Sequence, residues 1–254
     1  MIFGNLKKLK WNWNKTLIAI IGLLLIGGVI AFAFLKSGSK TEESIEETTL
    51  VPTKEELIIP IDFQSLWTTN KDIVAWIKIP GTNVDYPVLQ SSQEMEENYY
   101  LNTTPEGVPT YPGSIYIQKI NTKDFTDPVT AFYGHNMANK TMFGSLHYFN
   151  KRDFFDANNI IYVYTPDSIL EYKVFAVFKS DNEALMEEYE YFKKPENFQK
   201  FLDMVYGIEE TDINHINKDI KVTTKDRLII LTTCIGNPNY RWRVVGVLVD
   251  EKIK

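Results

Sequence analysis

The sequence predicts a mainly β protein: a closed eight-stranded β-barrel with a helix at its start, a helical insertion ahead of the strand holding the only cysteine, and one N-terminal transmembrane helix. Three observations lead there. Eight segments of strand length, rich in Ile, Val, Tyr and Phe, are separated by turn formers. Helical periodicity is confined to a few stretches, so no helix alternates with each strand as a doubly wound sheet requires. An uncharged apolar run from Thr16 to Leu35 stands apart from the rest.

In chain order, residues 1–15 are a basic cytoplasmic segment with Lys7, Lys8, Lys10 and Lys15, and with Trp11 and Trp13 where interfacial aromatics belong. Residues 16–35, about 30 Å long as a helix, can cross a bilayer. The lysine excess before them sets the N-terminus inside and the remainder outside. A cleaved signal peptide is the alternative, but the run is longer than a usual signal core and no small-x-small cleavage site follows it. Residues 36–56 are polar and aperiodic, the pattern of a solvated linker. The folded domain spans 57–254. It opens with Asp62, an N-cap candidate for an amphipathic helix to Asn70 that puts Phe63, Leu66 and Trp67 on one face.

The strands are expected at Ile73–Ile79, Val84–Gln90, Gly113–Gln118, Val129–Tyr133, Ile160–Tyr164, Leu170–Phe178, Arg227–Cys234 and Arg241–Val249. A short helix is expected from Thr141 to Phe149. The helical insertion runs from Glu183 to about Asn217, with Phe198, Phe201, Leu202 and Val205 spaced along one face.

Composition narrows the function classes. The chain has 254 residues, 44% hydrophobic and 24% charged, enough for a sizeable core and too apolar for a disordered chain. A net charge of −6, with the dense basic cluster confined to the N-terminus, argues against nucleic-acid binding. One cysteine cannot form an intramolecular disulfide, and no paired Cys or His spacing suggests a metal, so neither metal nor cofactor is expected.

The chemistry concentrates around that cysteine. Cys234 ends one strand, Arg241 and Arg243 begin the next, and the period of two puts both guanidiniums on one face. A thiol facing a cation is an arrangement for nucleophilic catalysis, although an isolated cysteine is more often a buried core thiol. His135 follows an apolar strand through Gly134, on a rim loop of the kind that carries function. His147 in the short helix and His215 in a polar stretch read as packing or solvated residues. These residues alone leave three readings open: acyl transfer, hydrolysis by a cysteine hydrolase, and a peptide-binding barrel with an unreactive Cys234.

Tyr133-Gly-His-Asn-Met137 after a strand, Leu231-Thr-Thr-Cys234 ending a later one and an Arg opening the next resemble the sortases. Trp76-Ile-Lys-Ile-Pro-Gly-Thr-Asn-Val-Asp-Tyr-Pro-Val88, Tyr99-Tyr-Leu-Asn102, Gly113-Ser-Ile115, Met142-Phe-Gly144 and the insertion before the Cys strand resemble class B in particular. The resemblance runs from about Asp62 to the end. It implies a membrane-tethered, extracytoplasmic cysteine transpeptidase of Gram-positive bacteria, with Cys234 as nucleophile, His135 as general acid and base, and Arg241 as donor to the substrate or oxyanion. Arg241 rather than Arg243 matches the family's position, five residues before Gly246. The implied partners are surface proteins with a C-terminal sorting motif, an amine acceptor such as a peptidoglycan precursor, and the bilayer around residues 16–35. Two departures stand out: Ile230 replaces the first Thr of the family's Thr-Leu-x-Thr-Cys pattern, and the loop from Ile235 to Tyr240 lacks the acidic residues common in class B.

Overall fold

The computed structural model describes residues 56–254. The expected span at 16–35 lies outside them, as does the linker up to its last residue. No helix among the described residues is long and apolar enough to cross a membrane.

The first helix, α1 (Phe63–Thr69), starts where Asp62 Oδ1 accepts from the Ser65 backbone N–H at 3.0 Å, a cap that contributes about 0.5–2 kcal/mol. Its buried Phe63 packs with Ile73, Leu89, Tyr100 and Tyr116 against the outside of the barrel.

The strands are β1 (Ile73–Lys78), β2 (Asp85–Gln90), β3 (Ile115–Ile117), β4 (Val129–Tyr133), β5 (Ile160–Tyr164), β6 (Ser168–Asp181), β7 (His215–Ile216), β8 (Leu228–Cys234) and β9 (Tyr240–Ile253). They form one sheet in the order β5-β1-β2-β3-β4-β8-β9-β6-β7, and β5 also pairs with β6, which closes an eight-stranded barrel. The two residues of β7 are an addition to the β6 edge. β5 pairs with Ile169–Lys173 of β6, and further along that strand β7 takes up Ala176 and Val177.

Both faces of the strands around the cysteine are covered, which is why Leu228-Ile-Ile-Leu231 is apolar without alternation. Inside the barrel, Ile229, Leu231 and Val244 meet Ile77, Val88, Ile117 and Phe132. Outside, Leu228, Ile230, Val245 and Val247 meet Phe198, Phe201, Leu202 and Val205 of the insertion. Ile230, the departure from the family pattern, is fully buried in that outer layer as a packing residue.

The insertion is less helical than its periodicity suggests. It comprises a short helix at Leu185–Glu188, a 3₁₀ turn at Glu190–Phe192 and a longer helix at Pro195–Gly207, the two helices being separated by that turn, whose residues Glu190, Tyr191 and Phe192 all have positive φ. Pro195 forces Lys194 into an extended conformation (φ −118°, ψ 135°), so one continuous helix cannot form. The stretch before Asn217 then leaves helical geometry and becomes β7, where His215 is buried with Nε2 3.1 Å from the Asn150 carbonyl oxygen. The helix expected from Thr141 is a 3₁₀ turn over Gly144–Asn150, followed by a short α-helix at Arg152–Ala157.

Candidate active site

The site is assembled by strand register. β4 and β8 run parallel with Tyr133 opposite Thr232, so the chain positions two residues further on, His135 and Cys234, emerge from the same end of the barrel. β8 and β9 are antiparallel with Cys234 opposite Arg241 and Thr232 opposite Arg243. Cys234, His135, Arg241 and Arg243 line one cavity of about 270 Å³, together with Asn98, Leu101, Gln118, Tyr133, Asn182, Glu183 and Ala184. A larger hollow of about 510 Å³ lies at the other end of the barrel around Trp67, Ser168 and Ile253, and has neither a histidine nor a cysteine in its lining. The smaller cavity holds the reactive groups.

Cys234 is a free, exposed thiol at the last position of β8. The two threonines before it divide between faces. Thr233 Oγ1 donates to the Gly134 carbonyl oxygen at 2.7 Å, and Thr232 Oγ1 accepts from Arg243 at 3.1 Å. The first bond ties the cysteine strand to the loop carrying the histidine. Gly134 itself has no room for a side chain: a Cβ there would sit 2.3 Å from Ile115 Cδ1 and 3.0 Å from the Phe143 ring.

The His135 ring is half-buried, with Nε2 3.2 Å from Asn102 Oδ1 and the Tyr111 ring tilted against it at a centroid distance of 4.6 Å. Burial holds its pKa below the ordinary histidine value of 6.5, opposed by a hydrogen bond with the Leu101 backbone. The imidazole is therefore mainly neutral at neutral pH and suited to accept a proton. Burial pushes the neighbouring Tyr133 phenol up to about 12, which removes it as a competing base.

The structure separates the two arginines that the sequence puts on one face. Arg241 is partly exposed, and its guanidinium donates to the Pro238 and Tyr240 carbonyl oxygens at 3.0 and 2.9 Å. Arg243 is only 3% exposed. It donates to Ser180 Oγ at 2.7 Å, Thr232 Oγ1 at 3.1 Å and the Glu183 carbonyl oxygen at 2.9 Å, joining β8 and β9 to the cavity wall. Among the described residues no cluster of three or more His, Cys, Asp or Glu could hold a metal ion. Sequence reasoning missed Asn102 and Tyr111, which hold His135, and His147, which reaches the Cys234 carbonyl. Each partner lies far away in the chain, and no local pattern signals it.

The described arrangement has close counterparts. The family model for the sortase domain matches residues 77–249. Sortase B of Staphylococcus aureus is 30% identical over 232 residues, covering 87% of this chain and 90% of that protein. Sortase B of Listeria monocytogenes is 28% identical over 254 residues, covering 96% and 100% respectively. The fold of Clostridium perfringens sortase B superimposes with a TM-score of 0.66 at 28% identity, over 74% of this chain and all (100%) of that one. The S. aureus sortase B–substrate complex gives 0.64 at 31% identity, over 74% and 84%. By domain match, relatives and fold, the chain belongs to the sortase family of cysteine transpeptidases, within class B.

Proposed function

We propose that this sortase is a membrane-anchored, extracytoplasmic enzyme that cleaves a sorting motif in surface proteins and passes the acyl group to an amine of the cell wall. Cys234 is the nucleophile, His135 the general acid and base, and Arg241 the donor to the substrate carbonyl or oxyanion. The observation that carries this reading is the pair of registers at one barrel end, which delivers a thiol, an imidazole and a guanidinium to one cavity from three different strands. The lysine-flanked apolar run at 16–35 supports the anchor.

In this mechanism the neutral His135 takes the thiol proton as Sγ bonds to the scissile carbonyl carbon. Negative charge develops on the carbonyl oxygen, where Arg241 donates to it. Collapse breaks the C–N bond, and the His135 imidazolium gives its proton to the leaving amine, leaving a thioester. The incoming amine attacks that thioester, His135 takes its proton, and the C–S bond breaks to return the thiolate. His135 then hands its proton back to sulfur. Atoms and protons balance over one turn with no cofactor. Both loop carbonyls take their hydrogen bonds from Nη1 of Arg241, which leaves Nη2 and Nε as donors for the oxyanion.

Incubating the full chain in detergent with a library of short peptides, with and without an added amine, tests the proposal. Amine-dependent ligated products, read by mass, are expected. Products of hydrolysis alone at saturating amine, or an uncut library, would refute it.

A further inference from the structure

His147 belongs to the 3₁₀ turn Gly144–Asn150, outside the catalytic constellation just described. Its Nε2 lies 3.0 Å from the backbone carbonyl oxygen of Cys234. Its ring stacks on the buried Trp242 indole at 5.6 Å between centroids and 20° between planes. Trp242 Nε1 in turn donates to the Leu146 carbonyl oxygen at 3.0 Å, so the indole and the turn are fixed to one another. A carbonyl oxygen can only accept, so the hydrogen bond assigns a proton to Nε2 of His147. Burial lowers the pKa of this ring, which favours the neutral form carrying that single proton.

We propose that His147 is a positioning residue that clamps the carbonyl of the nucleophile and thereby fixes the direction in which Sγ leaves the end of β8. Cys234 is the last residue of its strand, and the loop after it turns through Gly236 at φ +83°. At such an end the ladder fixes the residue on its N-terminal side, and the next peptide plane can still rotate. That plane is rigid from the Cys234 carbonyl to the Ile235 N–H. A donor on the carbonyl therefore opposes rotation about φ of Cys234, which would swing Cβ and Sγ together with that carbonyl, and so holds Sγ in place relative to His135 and Arg241. A misplacement of about 1 Å at a reacting atom can cost roughly 10²-fold in rate. His147 acts through the backbone and has no part in moving the proton.

The inference rests on Cys234 as nucleophile, so the test includes Cys234→Ala in the same full-length chain in detergent. His147→Phe keeps a ring to stack on Trp242 and removes the donor. His147→Gln places an amide N–H near the position of Nε2–H, whereas His147→Asn places one near Nδ1, too short to reach. The Phe and Asn variants are expected to lose about 10-fold or more in kcat, by the positional argument above. Their KM and their rate of alkylation by iodoacetamide should stay near wild type. The Gln variant should stay within about threefold of wild-type kcat, keeping most of the same positional term. Wild-type kcat in the Phe variant, or equal kcat in the Gln and Asn variants, would overturn the clamp, and the second comparison decides even if the Phe variant does not fold. If Cys234→Ala retained turnover, the reading of the site would fail first. If Cys234→Ala is inactive and the donor variants are unaffected, only the clamp falls.

Discussion

Gly134→Ala perturbs the joint between the β4 strand and His135 by a single methyl. Gly134 does not have a left-handed φ; space is what requires glycine there. The added Cβ would meet Ile115 Cδ1 at 2.3 Å and the Phe143 ring at 3.0 and 3.1 Å. Ordinary carbon contacts are about 3.5–4.0 Å, so something must move by more than 1 Å on the Ile115 side. Ile115 and Phe143 are both fully buried, which leaves the loop carrying His135 as the yielding part. Overpacking of this kind costs about 1–3 kcal/mol, a fall in Tm of about 2–12 °C for a domain of this size. Displacing the imidazole by about 1 Å should lower kcat/KM by about 10²-fold. Ile115→Val deletes the offending Cδ1 at a cost of its own of about 0.5–1.5 kcal/mol. Calorimetry and peptide-cleavage rates on the two single variants and the double variant make the test. The double variant should recover activity over Gly134→Ala and melt above the sum of the single effects. Wild-type activity in Gly134→Ala, or strict additivity in the double variant, would refute the reasoning that His135 is placed by this contact.

Arg241→Lys should keep its melting temperature and lose about 10²-fold in kcat/KM, because an ammonium cannot reproduce a guanidinium's planar donor fork. Arg243→Lys should show the opposite balance, losing about 1.5–3 kcal/mol of stability with the bonds to Ser180, Thr232 and Glu183 and less activity than Arg241→Lys. Comparing melts and kinetics of the two variants checks both. Tyr111→Ala removes the ring packed on His135 and should raise the His135 pKa toward 6.5, read by NMR titration. His135 and His147 both have folded pKa values below the unfolded value of 6.5, so the unfolded state binds more protons below that pH. Their contribution to stability is present above pH 6.5 and is lost as the pH falls through the folded values, which a melting series from pH 7.5 to 5 would report. Deleting residues 1–56 should leave a soluble, cooperatively melting, active domain, and an aggregated product would move the boundary.

The barrel was legible because its strands carry the composition that burial on two faces demands. Val129–Tyr133 and Ile160–Tyr164 coincide with β4 and β5 residue for residue, whereas β6 and β9 extend beyond the expected Leu170–Phe178 and Arg241–Val249. Those extensions are mostly polar, with Lys179, Ser180 and Asp181 in β6 and Asp250, Glu251 and Lys252 in β9, and pairing between Asp181 and Tyr240 at one end and Ser168 and Ile253 at the other holds them. β7 could not be read at all, since two residues become a strand only through contact with Ala176 and Val177. In the cavity, the sequence could name Cys234, His135 and the two arginines by strand ends and residue type. It could not distinguish a partly exposed Arg241 from a buried Arg243, because alternation gives a face and not a depth. The holders of the histidine and of the cysteine carbonyl, Asn102, Tyr111 and His147, come from loops and turns that only the closed barrel brings near.

Intact-mass measurement of the enzyme with a cleavable sorting peptide, before and after an amine is added, tests the central claim most directly. The account predicts one acyl group on Cys234 that accumulates without amine, disappears when amine is added and reappears in equal amount as ligated product. It should be absent from Cys234→Ala, and its formation should slow by about 10²–10⁴-fold in His135→Ala. Turnover by Cys234→Ala, or an adduct that maps elsewhere and does not pass to the amine, would contradict the account.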